Sequence, residues 1–205
     1  NPLIKKRVET ANRLERTKIS CRQRQKQLID LRAVVDNVPA ELERLKKHHA
    51  ITSLDVELYN ASKEVVPQEE RIAFGEELID AIRDNHMQNT ERLFDIYQGF
   101  DVFLPANMNS EKPHIYIRSF NGGAYYLEME TDKPLGCAMR IDHLLEHLPD
   151  RVLSFEEQMA RAEKQRKEAL ADIERGNTYQ DEVEELEINL ADIDRQLAET
   201  EEKSA

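Results

Sequence analysis

The chain has 205 residues, of which 40% are hydrophobic and 34% are charged, and its mean hydropathy is −0.71. This composition is too polar for a large spherical core and favours long helices with exposed faces. The longest apolar runs are far shorter than the roughly 20 residues that a transmembrane helix requires, so we expect no membrane partner. Two cysteines, Cys21 and Cys137, are too few for a disulfide framework and predict a cytoplasmic location.

The net charge of −12 is unevenly distributed along the chain. Residues 1–50 contain 13 Lys and Arg against six Asp and Glu, a balance of +7, so residues 51–205 carry −19. Residues 174–202 hold 11 Asp and Glu against two Arg. Opposite charges at the two ends favour pairing between them, and the basic end is also a candidate contact for an acidic partner.

The first predicted element is a helix from Leu3 to about Asp36, a stretch without Gly or Pro. Its narrow apolar stripe is typical of one side of a coiled coil. Pro39 is expected to interrupt this helix, and a second helix is predicted to follow. The first stripe contains Ile4, Ala11, Leu14, Cys21, Leu28 and Val35 with Lys18, Gln25 and Arg32 between them, and the second contains Val38, Leu42, Leu45, His49, Thr52, Val56 and Tyr59.

The strongest periodicity lies near the other end, in steps of four and three residues. At 1.5 Å per residue, segments 3–36 and 141–175 each span roughly 50 Å, so they match as antiparallel partners. Gly176 is expected to end the helix or to kink it, and Thr178 with Asp181 resembles a capping box before a final helix. The stripe contains Ile141, Leu145, Leu148, Val152, Phe155, Met159, Ala162, Arg166, Ala169 and Ile173, and the final helix adds Val183, Leu186, Leu190, Ile193 and Leu197.

The middle of the chain predicts a small head. Pro67 to Met87 indicates an amphipathic helix, after which the apolar period drops to two. Half-buried strands are expected at 100–104, 115–117 and 125–129, with a tight turn at 121–123, and the helix is expected to cover the sheet. The predicted fold is α+β, mostly α: an antiparallel coiled-coil stalk (1–62 and 141–202) carries a head (63–140) with a covering helix and an antiparallel sheet of three to four strands.

The usual catalytic motifs are missing from the sequence. It contains no G-x-x-x-x-G-K-[ST], G-x-G-x-x-G, H-E-x-x-H or G-x-S-x-G pattern, so no motif supports a nucleotide-binding, zinc-protease or serine-hydrolase function. His143 and His147 share one helical face and are weak metal candidates, with Cys137 shortly before them. A third and fourth ligand are not evident, so we predict exposed histidines, no metal, no cofactor and no catalytic residue.

The basic first helix supports two interpretations. Its cations either track the phosphates of nucleic acid or pair with the acidic helix 181–202 and the flanks of 150–175, and the two roles can coexist. The helix has no aromatic residue that could stack on bases, which argues against single-strand binding by this helix. The candidate nucleic-acid-binding residues are Lys5, Lys6, Arg7, Arg13, Arg16, Lys18, Arg22, Arg24 and Lys26.

Several segments together resemble a known family: 1–8 (NPLIKKRV), 70–82 (ERIAFGEELIDAI), 97–100 (YQGF) and above all 140–152 (RIDHLLEHLPDRV). They are similar to the C-terminal module of large phage and conjugative-element proteins that fuse an adenine-specific DNA methyltransferase to a Swi/Snf-type DEAD/DEAH helicase. The chain departs from that pattern at 137–139, where Cys-Ala-Met replaces Gly-Asn. The strand pair before the 67–87 helix is also shortened.

The resemblance implies a cytoplasmic DNA-processing polypeptide of mobile-element origin, of which this chain is a non-catalytic accessory part. No methyltransferase or helicase motif falls inside the 205 residues, so no catalytic residue is carried over. The expected partners are other domains of the parent protein and duplex DNA. Two alternatives remain: an autonomous metal protein or enzyme centred on the head, and a structural homodimer formed through the helices.

Overall fold

A computed structural model describes residues 2–85, 88–108 and 111–202 of the chain. Within those ranges the chain is mostly helical and has a small antiparallel sheet, so the predicted α+β class with a majority of helix is confirmed. None of the described helices combines the length and apolarity needed to cross a membrane. In chain order the elements are α1 (Pro2–Ser62), α2 (Gln68–Asn85), β1 (Arg92–Tyr97), β2 (Phe100–Leu104), β3 (His114–Arg118), β4 (Ala124–Glu128), α3 (Pro134–Glu146), α4 (Leu148–Glu174) and α5 (Gln180–Glu202).

The chain divides into two compact units. The helical unit comprises Asn1–Glu41 and Arg161–Ala205, and the mixed unit comprises Leu42–Ala160. Helices α1 and α4 each contribute residues to both units. Residues 42–62 and 141–160, which the sequence assigned to the stalk, therefore belong to the mixed unit.

Helix α1 continues through Pro39, so the predicted interruption at that residue is wrong. Proline lacks an N–H donor and costs about 3 kcal/mol in a helix interior. Here Pro39 is exposed, and Val35, Val38 and Leu42 keep the spacing of the buried face on either side of it. The helix therefore forgoes one backbone hydrogen bond but no apolar burial.

The buried face of α1 within the helical unit differs from the predicted stripe at every second position. Leu14, Thr17 and Leu28 are buried, whereas Ile4 is 54% exposed. The sequence predicts Lys18, Gln25 and Arg32 on the buried face. In the structure Thr17, Arg24 and Leu31, each one residue earlier, occupy these places. Two of these three residues are polar, so the apolar pattern alone does not determine which residues face inward.

Helices α4 and α5 are separate, so the chain does not form one kinked helix there. Gly176 between them has a φ of 65°, a left-handed conformation that glycine adopts without steric cost. Asn177 anchors the turn: its Nδ2 donates to the Cys21 carbonyl at 3.2 Å, and its Oδ1 accepts from the Tyr179 N–H at 3.3 Å. The predicted stripe of α5 is buried or half-buried at Val183, Leu186, Leu190, Ile193 and Leu197.

The sheet of the mixed unit is an antiparallel meander with the order β1-β2-β3-β4. The three predicted strands correspond to β2, β3 and β4, and β1 was not located from the sequence. Its pairing register shifts between Leu93 and Asp95, a bulge that disturbs the period of two. Gln98 and Gly99 both have positive φ, at 52° and 81°, which suits the two-residue turn between β1 and β2.

One face of this sheet packs on α2 and α3 to form the core of the mixed unit. Leu78, Ile79 and Ile82 of α2 lie in the same buried cluster as the sheet residues, so the predicted cover by this helix is confirmed. Helix α2 ends at Asn85, and Met87 of the predicted helix lies outside the described residues. The sheet contributes Phe100, Val102, Leu104, Ile115 and Ile117, and α3 contributes Cys137, Ile141, Leu144 and Leu145.

The helix predicted from Ile141 onward is two helices in the structure. Helix α3 ends before His147, which has φ −97° and ψ 11°. Pro149 in the first turn of α4 has no N–H to donate to the preceding turn, so a continuous helix would lose that bond and meet the proline ring. The predicted stripe is otherwise buried or half-buried throughout, except at the exposed Arg166.

Candidate functional site

Four of the nine candidate nucleic-acid-binding cations on α1 form ion pairs inside the helical unit. We call them the paired set, and their partners lie on α5 and on the part of α4 that belongs to this unit. The partner numbers fall overall, from 194 opposite Arg7 to 172 opposite Arg24, so α1 runs antiparallel to the chain from α4 to α5 in this unit. The pairs are Arg7–Asp194 at 2.5 Å, Arg13–Glu182 at 2.6 Å, Lys18–Glu187 at 2.8 Å and Arg24–Asp172 at 3.0 Å.

Arg24 makes the most contacts of the paired set. Its two terminal nitrogens donate to the two carboxylate oxygens of Asp172, each at 3.0 Å. It also donates to the backbone carbonyls of Asp172 at 2.9 Å and Gly176 at 3.1 Å. A cation at the C-terminal end of a helix satisfies carbonyls that lack intrahelical partners and interacts favourably with the helix dipole. Arg24 therefore caps α4 from the neighbouring helix.

The pKa of Asp172 is lowered, chiefly because its carboxylate accepts hydrogen bonds from Arg24. A depressed folded-state pKa stabilises the fold above the unfolded value of about 3.9, and that stabilisation is lost as the pH falls through the lower value.

We expect Arg24→Gln to lower the melting temperature at pH 7 and to flatten its decline between about pH 5 and pH 2. Arg22→Gln removes the same charge two residues away from an exposed site without an ion pair among the described residues. Equal melting curves for the two variants, recorded by circular dichroism, would contradict the cap.

Four other predicted cations are exposed and take part in no ion pair within the described part of the chain. These are Lys6, Arg16, Arg22 and Lys26, which we call the unpaired set. The ninth candidate, Lys5, lies 3.9 Å from Glu9 on its own helix, an exposed contact that contributes little. The structure thus divides one basic sequence into cations that face carboxylates and cations that face solvent.

His143 on α3 and His147, the residue that follows this helix, lie side by side with ring centroids 4.0 Å apart. The Nδ1 of His147 donates to the His143 carbonyl at 2.8 Å, and its Nε2 lies 4.0 Å from a carboxylate oxygen of Asp150. No group of three or more His, Cys, Asp or Glu suited to a metal occurs among the described residues. The thiol of Cys137 is buried and donates to the Glu130 carbonyl, and burial raises its pKa. This pair therefore lacks the further ligands that a metal centre requires.

The two histidines line a groove of about 550 Å³ beside β4, which we call the histidine groove. Arg151 lies over the Tyr125 ring at 5.2 Å. Arg140 forms an ion pair with Glu130 at the edge of the groove. The groove is lined by Tyr126, Leu127, Met139, Arg140, His143, Leu144, His147 and Arg151, a set that includes four basic side chains and no carboxylate.

The Arg-Ile-Asp-His motif at 140–143 places its four successive side chains in three different environments, because Arg140 and His143 both line the groove. Ile141 is in the core and His143 lines the groove. Asp142 is buried, accepts the Tyr97 hydroxyl at 2.9 Å and lies 3.2 Å from an Arg71 nitrogen. Desolvation and this hydrogen bond raise the pKa of Tyr97. Asp142 therefore joins α3 to α2 and β1.

A second buried carboxylate, Asp55, was not singled out from the sequence. It is fully buried on α1 and accepts the Tyr125 hydroxyl at 2.5 Å and the Asn121 side-chain amide at 3.0 Å. Burial, followed by this hydrogen bond, raises the pKa of Tyr125. These contacts attach the β3–β4 hairpin to α1. In the sequence, the proximity of Asp55 to the stripe residue Val56 is the only sign that it is buried. Nothing in the sequence indicates that Tyr125 and Asn121 are its partners.

Comparison with known proteins assigns no family to the chain. No protein-family model, curated protein or solved structure matches it. The resemblance of segments 70–82 and 140–152 to the methyltransferase–helicase family therefore stays an expectation drawn from the sequence. The groups that remain for a functional proposal are the two sets of α1 cations and the histidine groove.

Proposed function

We propose that this chain is a non-catalytic accessory module of a DNA-processing helicase–methyltransferase protein, and that it positions duplex DNA or partner domains. The observation that carries the proposal is the division of the α1 cations into a paired and an unpaired set. Carboxylates on α4 and α5 neutralise the paired set, whereas the unpaired set remains solvent-exposed. One set organises the helices and the other is open to a partner.

The paired set supports an antiparallel coiled coil as the framework of this module. In the helical unit the buried and half-buried residues of α1 recur every three and four positions, and cations flank them. Charges beside such a stripe select the partner helix and its orientation. The buried apolar residues of the helical unit are Leu14, Leu28 and Val38 of α1, Ala162 and Ala169 of α4, and Leu186 and Ile193 of α5.

The unpaired set supports a contact with the phosphates of duplex DNA. Exposed Lys and Arg that neutralise phosphates release counterions, which gives sequence-independent affinity with a steep salt dependence. The resemblance to the helicase–methyltransferase family supports DNA as the nucleic acid and the cytoplasm as the location.

Neutralisation of the unpaired set tests the proposal. The variant with Lys6, Arg16, Arg22 and Lys26 all changed to Gln is expected to bind a labelled, non-specific duplex more weakly at low salt. With four phosphate contacts removed, the slope of log affinity against log salt concentration should flatten by about 3 to 4. Fluorescence anisotropy measures both quantities. A wild-type chain that does not bind duplex at low salt would overturn the DNA part of the proposal.

A matched control is available on α4. Arg161, Arg166 and Lys167 are exposed cations of the helical unit, and among the described residues Lys164 pairs with Glu168 one turn away. Changing these four residues to Gln removes the same charge from another face of the unit. Equal losses of affinity in the two variants would show a general charge effect and would contradict a contact through α1.

A further inference from the structure

The face of the sheet that points away from the core carries a row of aromatic side chains. Phe103 of β2 pairs with Tyr116 of β3, which pairs with Tyr126 of β4. Directly paired residues on neighbouring strands lie on the same face of a sheet, so the three rings adjoin one another. Tyr126 is 49% exposed, and the other two are half-buried. We call Phe103, Tyr116, Tyr126 and the neighbouring His114 the aromatic row.

Ring and guanidinium contacts make this row continuous. The ring centroid of Tyr126 lies 4.9 Å from His114 and 6.0 Å from Tyr116. The Arg118 guanidinium lies 4.7 Å from the Phe103 ring and 5.6 Å from the Tyr116 ring. Aromatic rings and guanidinium planes are the groups on which unpaired nucleobases stack.

Tyr126 belongs to both the aromatic row and the histidine groove. The groove therefore continues from the row and adds Arg140, Arg151, His143 and His147 beside it. Arg151 takes part in no ion pair within the described residues, and its guanidinium lies over the Tyr125 ring. The surface thus combines stacking planes with one unpaired arginine, Arg151, whereas Arg118 and Arg140 are paired with Glu91 and Glu130.

We propose that the aromatic row and the histidine groove together bind single-stranded nucleic acid, with bases on the row and a phosphate at Arg151. This inference goes beyond the proposed function because it uses none of the α1 cations and concerns the mixed unit alone. Single strands fit this surface better than a duplex, since duplex bases are stacked on one another and present only their edges.

The charge of the mixed unit determines how such binding responds to salt. Residues 42–160 contain 12 Lys and Arg against 22 Asp and Glu, so long-range attraction to phosphate is weak. Stacking must then supply most of the affinity. With one phosphate contact on a single strand, the slope of log affinity against log salt is expected to be about −0.7. That is much shallower than the slope expected for duplex bound to α1.

Anisotropy of labelled oligo-dT and oligo-rU with the full chain tests the inference, and the two probes compare DNA with RNA. Tyr126→Ala is expected to weaken binding by roughly 5- to 150-fold, because stacking on one base is lost. Tyr126→Phe keeps the ring and should stay within about twofold of wild type. Phe120→Ala removes a ring that is 81% exposed but lies outside the row, and it should bind as wild type does.

Three outcomes would overturn the inference: no binding of either oligonucleotide at low salt, equal losses for Tyr126→Ala and Phe120→Ala, or an equal loss for Tyr126→Phe. The first would leave the row as a surface for a protein partner. The variant neutralised in the unpaired set separates this inference from the proposed function. It should lose duplex affinity while keeping oligo-dT affinity, and Tyr126→Ala should show the opposite pattern.

Discussion

Asp55→Ala is expected to lower the free energy of unfolding by about 2–4 kcal/mol, because it leaves the Tyr125 hydroxyl and the Asn121 amide without their acceptor. The carboxylate is fully buried, so water does not replace it without an opening of the structure. Urea denaturation followed by circular dichroism measures the change.

Glu57→Ala is the matched control for this variant. Glu57 is exposed on the same helix two residues away, and its removal should change stability by less than about 0.5 kcal/mol. Equal denaturation midpoints for Asp55→Ala and Glu57→Ala would mean that the buried network does not attach the hairpin to α1.

Gly75→Ala is expected to destabilise the mixed unit by about 1–3 kcal/mol or more, because a Cβ at this position overpacks the contact between α2 and α3. That atom would lie 2.0 Å from the carbonyl oxygen of Pro134, a backbone group that a side-chain rotation cannot move. Only a displacement of one helix relieves the overlap. Thermal unfolding detects the loss as a lower melting temperature.

Gly136→Ala provides the opposite expectation in the neighbouring helix. A Cβ there would meet only the Lys133 Cβ, at an ordinary contact distance of 3.5 Å. Alanine also reduces the conformational entropy of the unfolded chain, so this variant should be stabilised by about 0.4–1 kcal/mol. If both glycine variants were equally stable, the close approach of α2 to Pro134 would be wrong.

Local periodicity predicted much of the fold. The stripes of Val38 to Tyr59, of Ile141 to Ile173 and of α5 match the buried faces, apart from Arg166, because burial against one neighbour imposes the three- and four-residue spacing directly. The strand alternation of β2, β3 and β4 was visible for the same reason.

The sequence predictions of the fold are wrong where a proline or a β-bulge is combined with a periodic pattern. Pro39 stays within α1 because its exposed ring costs less than breaking a stripe that continues on both sides. Pro149 does end a helix, although the stripe also continues there, so spacing alone does not distinguish the two prolines. The bulge between Leu93 and Asp95 removed the alternation that would have revealed β1.

The candidate sites were less accessible to sequence reasoning because they depend on distant residues. The division of the α1 cations follows from the register of α1 against α4 and α5, and the predicted stripe was displaced by one residue at positions 17, 24 and 31. The aromatic row requires the pairing of Phe103, Tyr116 and Tyr126 across three strands. Their alternation was visible, but the strand register that aligns them was not.

The most direct test of the central claim compares two variants of equal charge, each with four cations changed to Gln. One removes the paired set and the other removes the unpaired set. The measurement is the slope of log duplex affinity against log salt concentration, with melting temperature recorded alongside. We predict that loss of the unpaired set flattens the slope by about 3 to 4 and spares stability, whereas loss of the paired set lowers the melting temperature and leaves the slope unchanged. The same slope in both variants would contradict the division of α1 into a pairing face and a DNA-binding face.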